Sequence, residues 1–339
     1  HMDAQVAWDP LGSCSCWHGV TSVFMGNCGF ALAPCKEEDR EWFARCLEAV
    51  EDIPTEAMMS GIDWNWESFP EYLAQVESLP KGINYGAYLG HSALRMYAMG
   101  ERGLHETAKE ADLRVMGDLL KDAMQAGAVG FSPSRATTHN TPDGSPVASR
   151  IADWSELEYL VGQLAELNAG IIQVGPDVGN GAAHLACLEQ LRGLAIRSGR
   201  PVMFGTFSTR QGEDPYPWQR QLQFIDEAAA AGGRMYGQAT TRSINALFSF
   251  KSYLPFDQLP AWREFRDMPM DEQVARLRDK GLRARLIADE ENMRPRDGVF
   301  QGGGAATTDP RKPDYDNLFA LLDVRWDDPS IGQLSREQS

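Results

Sequence analysis

The chain has 339 residues, 43% of them hydrophobic and 24% charged, and it carries a net charge of −16. This composition is ordinary for a globular protein, and the acidic charge removes the usual electrostatic basis for binding nucleic acid or an anionic membrane surface. No apolar run reaches the ~20 residues of a membrane helix, no basic-then-apolar leader opens the sequence, and six cysteines are too few for a disulfide framework. We therefore expect a cytoplasmic protein with neither nucleic acid nor a membrane as its partner.

The first predicted strand covers residues 20–25 and ends in the turn Gly26-Asn27-Cys28-Gly29. The two glycines allow a tight turn, which places the Cys28 thiol at the carboxyl end of the strand. Barrels and open α/β sheets build their active sites at that end. A thiolate there could be a metal ligand or a nucleophile. A buried cysteine that only closes the turn is the alternative.

Five further strands and five helices are predicted to alternate along the chain from the spacing of apolar residues. The strands are predicted at residues 83–89, 128–131, 171–174, 202–207 and 235–239, and the helices at residues 37–51, 112–126, 155–168, 182–198 and 218–231. The helix at 155–168 opens with a capping-box pattern, Ser155 to Glu158. This alternation predicts parallel strands with right-handed crossovers. Because the chain has no dinucleotide-binding glycine pattern, it favours an α/β fold of the (β/α)8 TIM-barrel type over a Rossmann sheet.

Two segments depart from the strand–helix order. Residues 52–80 carry four aromatic residues, Trp64, Trp66, Phe69 and Tyr72. We expect their side chains to pack over the fold rather than to stack on a ligand. Residues 254–314 are predicted to be an inserted helical lid with one exposed helix at 271–290. We therefore assign residues 1–253 to the barrel units and residues 315–339 to the start of a further barrel helix. Six strands were found where closure of the barrel needs eight, so the barrel is expected to be incomplete in this chain.

Six motifs, in order along the chain, carry a resemblance to a known family. They are DAQVAWDP at 3–10, SCWHGVTS at 15–22, MGNCGF at 25–30, GHSALR at 90–95, MGER at 99–102 and GAVGFS at 127–132. In these motifs the chain resembles the N-acyl-D-amino-acid deacylases of the amidohydrolase superfamily. The resemblance implies a metal-dependent hydrolase that uses metal-activated water to cleave the C–N bond of a small N-acyl amino acid or a related linear amide.

The same resemblance implies a zinc site with one or two ions. In the family a His-x-His after the first strand, a cysteine after the second and two histidines after the fifth and sixth bind metal, and an aspartate after the last strand acts as base. Cys28 matches the cysteine ligand. His1 stands where the second histidine of His-x-His would fall, so it is either that ligand or a tag remnant. The strands at 171–174 and 202–207 should match the fifth and sixth, but no histidine ends either of them. The base would lie beyond Ser339.

Four residues near the strand ends are candidate substrate-binding residues: His91, Ser132, Arg135 and Arg242. His91 follows the second strand and either contacts substrate or is a hydrogen-bonded structural residue. Arg135 follows the third strand together with Ser132, and its guanidinium either grips a substrate carboxylate or braces the loop through a salt bridge. Arg242 is the alternative to Arg135 for the carboxylate.

Three other residues are predicted to have lesser roles. His139 and His184 are expected at the surface, in a polar loop and on a helix. Asp177 either replaces a lost histidine as an oxygen ligand or only forms a Gly-Pro-Asp turn. The ligand deficit leaves two readings of function. In the first, the chain is part of a deacylase, either as a segment of a longer enzyme or with its barrel completed by a homo-oligomer or a complementary chain. In the second, it is a catalytically impaired barrel that serves as a binding or assembly subunit.

Overall fold

The structure is a computed structural model. Its described residues fall into two compact units, the first ending at residue 239 and the second beginning at residue 248. The described residues are 2–51, 53–137, 139–176, 181–207, 218–239, 248–251, 254, 256–257, 259–292, 315 and 318–319. Of the predicted site residues, His1, Asp177 and Arg242 lie outside them. The predicted domain boundary at residue 253 stays a prediction.

A parallel sheet of six strands forms the centre of the first unit. The strands are β1 (Ser22–Met25), β2 (Asn84–Gly90), β3 (Gly130–Ser132), β4 (Ile171–Val174), β5 (Val202–Phe207) and β6 (Met235–Ala239). They lie side by side in sequence order, and every neighbouring pair is parallel. Successive parallel strands linked through helices are the arrangement of a (β/α)8 barrel, so the predicted fold class is confirmed, with six strands of such a barrel described here.

Helices connect the strands of this sheet. They comprise Arg40–Glu51, Thr55–Gly61 and Phe69–Ser78 before β2, His91–Met99 and Glu110–Ala126 before β3, Ala148–Ile151 and Trp154–Glu166 before β4, Gly181–Ser198 before β5, and Trp218–Ala230 before β6. Short helices at Met2–Gln5 and Ser13–Cys16 precede β1, and single helical turns lie at Asn27–Gly29, Glu37–Asp39 and Gly100–Leu104. The apolar faces of these helices and the outward residues of the strands form one core.

The two faces of the sheet differ in what they bury. In β4, Ile172 and Val174 are fully buried in the apolar core, whereas Gln173 lies between them in sequence. Because successive side chains of a strand point to opposite faces, Gln173 projects toward the inner side of the barrel. The core therefore occupies the outer side of the sheet, and a polar side chain enters the inner side of β4.

The predicted aromatic group packs as expected. Trp64 and Trp66 stack with ring centroids 5.3 Å apart, and Tyr72 meets Trp66 edge-on at 5.1 Å. The indole of Trp66 donates a 2.7 Å hydrogen bond to the carbonyl of Leu32, in the segment that follows β1. All four aromatic residues are buried, so their rings belong to the core rather than to a ligand surface.

Some details of the helix prediction were wrong. The helix Trp154–Glu166 begins one residue early with Asp153 as its N-cap, so Ser155 lies inside the helix and forms no capping box. The helix His91–Met99 was not predicted, because seven of its nine residues are buried, including its polar residues His91, Ser92 and Arg95, so it lacks the exposed polar face that marks a surface helix. His184 is 4% exposed on Gly181–Ser198, so its predicted surface position was also wrong.

The second unit contains three described helices, Pro260–Arg266, Met270–Arg276 and Lys280–Glu291. The single exposed helix predicted at 271–290 is therefore two, because Asp279 accepts hydrogen bonds from Gly281 N and Leu282 N and starts a new helix there. Phe265 and Leu286 are buried in a small apolar core of their own. None of the helices in the described parts of the chain is long and apolar enough to cross a membrane.

Candidate functional site

The turn after β1 holds Cys28 in an unusual backbone conformation. Cys28 has a φ of 56°, between Gly26 at 77° and Gly29 at 82°. A left-handed backbone at a residue with a side chain costs about 1–2 kcal/mol, so surrounding contacts must hold it. Gly26 shows how close they are, because a Cβ built there would lie 2.4 Å from the carbonyl oxygen of Tyr88. The turn thus delivers the Cys28 thiol to the carboxyl end of β1, where the sequence predicted it.

Gln173 is the residue that fixes this turn from across the sheet. Its Oε1 accepts hydrogen bonds from the backbone N–H of Cys28 at 2.7 Å and from the Ser132 hydroxyl at 3.0 Å. Its Nε2 donates to Gln238 Oε1 at 3.2 Å and lies 3.9 Å from Cys28 Sγ. Ser132 Oγ in turn accepts from the backbone N–H of Gly29 at 3.1 Å. Side chains from β3 and β4 therefore hold the β1 turn, and Gln238 of β6 joins them through Gln173.

His139 reaches the same place from the loop after β3. Its Nδ1 lies 2.6 Å from Ser134 Oγ, and its ring meets Phe30 edge-on with centroids 5.1 Å apart. Burial, with a smaller contribution from the Arg150 guanidinium, lowers the pKa of His139 to about 4, so the imidazole is neutral at pH 7. The predicted surface position of His139 was wrong, because the residue is partly buried.

Gly175, just beyond β4, lies between the thiol and the imidazole. A Cβ built on Gly175 would lie 3.3 Å from Cys28 Sγ and 3.4 Å from His139 Cε1. The absence of a side chain therefore lets both groups approach Gly175, and the space between them is one that a methyl group would fill tightly. We name Cys28, Ser132, His139, Gln173 and Gln238 the strand-tip cluster.

A second polar cluster lies nearby and is fully enclosed. His91 Nε2 is 2.7 Å from Glu156 Oε1, His91 Nδ1 is 2.9 Å from Ser149 Oγ, and Arg95 pairs with the other oxygen of Glu156. Arg95 also donates to the carbonyl of Glu106 at 2.7 Å. His91, Arg95, Ser149 and Glu156 are at most 3% exposed, and we name them the buried ion-pair cluster.

The protonation of this buried cluster follows from its partners. Burial lowers the pKa of His91, and the carboxylate of Glu156 only partly offsets that effect. Burial would raise the pKa of Glu156, but hydrogen bonds and charges from His91 and Arg95 lower it overall. His91 is therefore neutral and Glu156 ionised at pH 7, and the pairing with the carboxylate assigns the ring proton to Nε2.

Ser149 contacts His91, and His91 contacts Glu156, which are the contacts of a Ser-His-Glu hydrolase triad. Their burial argues against such a role. Ser149 and His91 are 0% exposed, and Ser149 Oγ already accepts the backbone N–H of Ser134 at 2.8 Å. A nucleophile without access to substrate cannot react with it. The contacts of His91 favour the structural alternative that its sequence position left open.

The other two described candidates for substrate binding have protein partners. Ser132 is 0% exposed and bridges Gly29 to Gln173, so its hydroxyl braces the turn after β1. Arg135 donates to the carbonyl of Ala152 at 2.7 Å, and its guanidinium carbon lies 5.3 Å from the centre of the Trp154 ring. Arg135 thus braces its loop through a carbonyl and an aromatic ring rather than through the predicted salt bridge.

Comparison with known proteins places this geometry in a family. Residues 1–295 match the model of the Amidohydrolase family. The chain belongs to the amidohydrolase family. Its family membership and its barrel strands confirm the resemblance that the six motifs carried.

Relatives of this amidohydrolase include enzymes with named substrates. It is 30% identical to the D-aminoacylase of Alcaligenes xylosoxydans xylosoxydans over 163 residues, 44% of this chain and 31% of that protein. It is also 30% identical to the N-acyl-D-glutamate deacylase of the same organism over 217 residues, 63% and 39% of the two chains. An uncharacterized protein of Mycobacterium tuberculosis is 34% identical over 195 residues, 55% and 31% of the two chains. The chain thus spans well under half the length of these relatives.

Solved structures share the fold of this amidohydrolase. A D-aminoacylase mutant in complex with CuCl2 has a TM-score of 0.55 at 23% identity, over 71% of this chain and 46% of that one. The N-acyl-D-glutamate deacylase of Bordetella bronchiseptica, complexed with zinc and a phosphonate inhibitor, has a TM-score of 0.54 at 24% identity, over 69% and 44%. At these identities the likeness shows the fold alone.

The donors of the strand-tip cluster fit part of the metal site that this family implies. A Cys28 thiolate and a neutral His139 imidazole are donors that zinc prefers, and the space beside Gly175 separates them. Ser132, Gln173 and Gln238 instead present hydroxyl and amide groups, which suit harder ions better. Within the described ranges, no group of three or more His, Cys, Asp or Glu could hold a metal ion. The cluster thus offers two suitable donors, and a zinc site here would need further ligands from elsewhere.

Sequence reasoning located Cys28 and Ser132 but missed the other three members of the strand-tip cluster, Gln173, His139 and Gln238. Gln173 is a single amide in the strand Ile171-Ile172-Gln173-Val174, and that break in an apolar strand was a usable signal. His139 carried no local signal, because its position depends on how the loop after β3 folds back onto β4.

Proposed function

We propose that this protein is a metal-dependent hydrolase that cleaves the amide C–N bond of small N-acyl amino acids. The observation that carries the proposal is the Cys28 thiol, held at the carboxyl ends of an amidohydrolase barrel by the Gln173 amide. Relatives named D-aminoacylase and N-acyl-D-glutamate deacylase support the substrate class.

The metal we propose is zinc, with Cys28 and, outside the described residues, His1 as ligands. When bound, zinc lowers the pKa of water toward ~7 and polarises a carbonyl, which is the chemistry that amide hydrolysis requires. None of the six cysteines, all of which lie in the described part of the chain, forms a disulfide, and we propose a reducing cytoplasm as the location.

The described residues would orient the reacting groups. Gln173 and Ser132 hold the backbone of the β1 turn at two successive N–H groups, so the Cys28 thiol is fixed before any ligand arrives. Such preorganisation lowers the cost of assembling a site. Arg242, outside the described residues, remains the proposed partner of a substrate carboxylate, whereas the contacts of His91, Ser132 and Arg135 assign these three residues to the scaffold.

The test compares the purified protein with two variants, each of which lacks one cysteine. Release of free amino acid is measured from a panel of N-acetyl-D- and N-acetyl-L-amino acids, together with bound zinc, for wild type, Cys28→Ala and Cys14→Ala. Cys14 is exposed and serves as the matched thiol control. We expect the wild type and Cys14→Ala to hydrolyse at least one substrate and Cys28→Ala to lose both hydrolysis and zinc. Zinc and activity that survive in Cys28→Ala would refute the proposed role.

A second candidate function is a non-catalytic barrel that binds ligands or assembles with a partner. The observation that favours it is the amide of Gln173, which pairs with Gln238. Gln173 lies on β4, where the family resemblance implies a histidine. In that case calorimetry would detect binding of an N-acyl amino acid to the wild type, while the same panel would give no hydrolysis at any metal concentration.

A further inference from the structure

We propose that His139 is a metal ligand of this amidohydrolase, supplied from the loop after β3 where the family resemblance would place a histidine at the end of β4. The proposal deepens the proposed function, since it concerns the same site and the same ion. It rests on where the ring lies, how it is held and what occupies the position at the end of β4.

The first step is the location of the ring. Gly175 follows β4 and continues its pairing through a parallel bridge with Ser134. Residues two apart along an extended chain share a face, so Gly175 presents the same inner face as Gln173. On that face a Cβ of Gly175 would touch both Cys28 Sγ, at 3.3 Å, and His139 Cε1, at 3.4 Å. The imidazole and the thiol therefore border one space at the carboxyl ends of the strands.

The second step is the orientation of the ring. Ser134 Oγ lies 2.6 Å from His139 Nδ1 and so engages that nitrogen. A histidine that binds a metal usually has its other ring nitrogen fixed by such a hydrogen bond, which sets both the tautomer and the direction of the ligating nitrogen. With Nδ1 engaged, Nε2 is the nitrogen that is available to a metal ion.

The third step is the anchoring of the loop. The carbonyl of Gly175 accepts the backbone N–H of Arg135 at 2.6 Å, and Gly175 N donates to Pro133 at 3.2 Å. Arg150 donates to the carbonyl of His139 at 3.0 Å. The first two bonds join the start of the loop to the end of β4, and the third holds the backbone of His139 itself, so the fold positions this residue.

The fourth step concerns Gln173, which stands where the resemblance implies a histidine. Its Oε1 accepts from Cys28 N and Ser132 Oγ, and its Nε2 donates to Gln238. The amide is thus committed to holding the turn that carries the thiol. An imidazole ligand at this edge must come from another element, and His139 brings one to the thiol.

The experiment measures metal binding directly. Zinc and cobalt(II) affinities are determined for the metal-depleted protein by competition with a chelator, for wild type, His139→Ala, Cys28→Ala and His105→Ala. His105 is exposed and is the matched imidazole control. We expect His139→Ala to lose at least about 10-fold in affinity, Cys28→Ala to lose more, and His105→Ala to match wild type. The thiolate-to-cobalt absorption band should persist in His139→Ala, with altered ligand-field bands, and disappear in Cys28→Ala.

Two further variants keep the result interpretable if His139→Ala folds poorly. His139→Cys replaces the imidazole with another zinc donor and should recover affinity relative to His139→Ala. Gly175→Ala keeps both ligands but fills the space between them, so its affinity should fall although its circular dichroism matches wild type.

The outcomes separate this inference from the proposed function. If His139→Ala binds zinc as tightly as wild type while Cys28→Ala does not, His139 is not a ligand, and the proposed hydrolase survives. If the wild type binds neither ion and hydrolyses nothing, both proposals are overturned together.

Discussion

The strand-tip cluster and the buried ion-pair cluster share a boundary residue but differ in how completely their polar groups are used. Ser134 belongs to that boundary, because its N–H reaches Ser149 on one side and its hydroxyl reaches His139 on the other. In the buried cluster both ring nitrogens of His91 and both oxygens of Glu156 have partners inside the protein. In the strand-tip cluster the backbone of Cys28 is strained and the thiol borders a space.

This difference indicates a division of labour between two polar networks. A saturated, enclosed network fixes geometry, because removal of any partner leaves a buried charge. A strained residue beside a space is typical of a functional site, because the strain persists only where the surroundings impose it. Polar composition alone does not distinguish the two, since each contains a histidine and a serine. The completeness of their hydrogen bonding does.

The largest expected effect is loss of stability in Glu156→Ala. This variant leaves the guanidinium of Arg95 buried and without its carboxylate, so we expect the free energy of unfolding to fall by about 3–5 kcal/mol. Urea denaturation followed by circular dichroism measures the change. Glu158→Ala is the control, since Glu158 lies on the same helix in an exposed pair with Arg197 and should cost less than about 1 kcal/mol. Equal losses in the two variants would contradict the assignment.

A smaller loss is expected in Gln173→Leu. Leucine removes the acceptor for the N–H of Cys28 and for the hydroxyl of Ser132, and unsatisfied groups of this kind cost about 1–3 kcal/mol. The same denaturation assay applies, with Gln223→Leu on a surface helix as the control. We further expect thiol reagents to modify Cys28 at a changed rate in Gln173→Leu. An unchanged rate would show that the amide does not position the thiol.

The pH dependence of stability separates the clusters further. His91 titrates below its ordinary value of 6.5 in the folded protein, so the unfolded chain binds more protons as the pH falls below 6.5. The stabilisation that depends on a neutral His91 is therefore fully present above that pH and declines on acidification. The lowered pKa of Glu156 extends the decline below pH 4.5. Relative to wild type, His91→Gln should show a shallower decline between pH 6.5 and 4.5, measured as the urea midpoint, although His139 retains part of it. An identical slope would show that His91 has the same pKa in the folded and unfolded states.

The smallest effect has the opposite sign. Cys28→Gly relieves the left-handed backbone, so we expect the free energy of unfolding to rise by up to about 1 kcal/mol, while zinc binding and hydrolysis are lost. Cys28→Ala loses the same thiol without relieving the strain and is the matched comparison. If the glycine variant is no more stable than the alanine variant, the left-handed backbone at Cys28 does not destabilise the folded protein.

The barrel strands were predictable because their signal is local. β4, β5 and β6 have the predicted bounds, and the other three strands shift by at most two residues. Cys28 was also predictable, since Gly26 and Gly29 encode the turn that presents it. The strands depend on short apolar runs bounded by turn residues, and the position of Cys28 depends on the glycines beside it, both of which sequence alone reveals.

The remaining features depend on tertiary contacts that the sequence does not encode locally. The polar residues of His91–Met99 are buried because Glu156, more than fifty positions away, pairs with two of them. His139 looks like a surface residue until the loop after β3 folds back onto Gly175. In both cases a distant partner overrides the local pattern, so only the three-dimensional arrangement identifies the role.

The bridge between Ser134 and Gly175 also determines which changes in chain length the loop after β3 can accept. Between that bridge and His139, one inserted residue would rotate the imidazole away from the thiol without disturbing any strand. Beyond it, Pro142, Asp143 and Gly144 form an exposed tip that can grow or shrink. Natural variants of this barrel should therefore differ in length at the tip and keep a constant spacing from the serine to the imidazole.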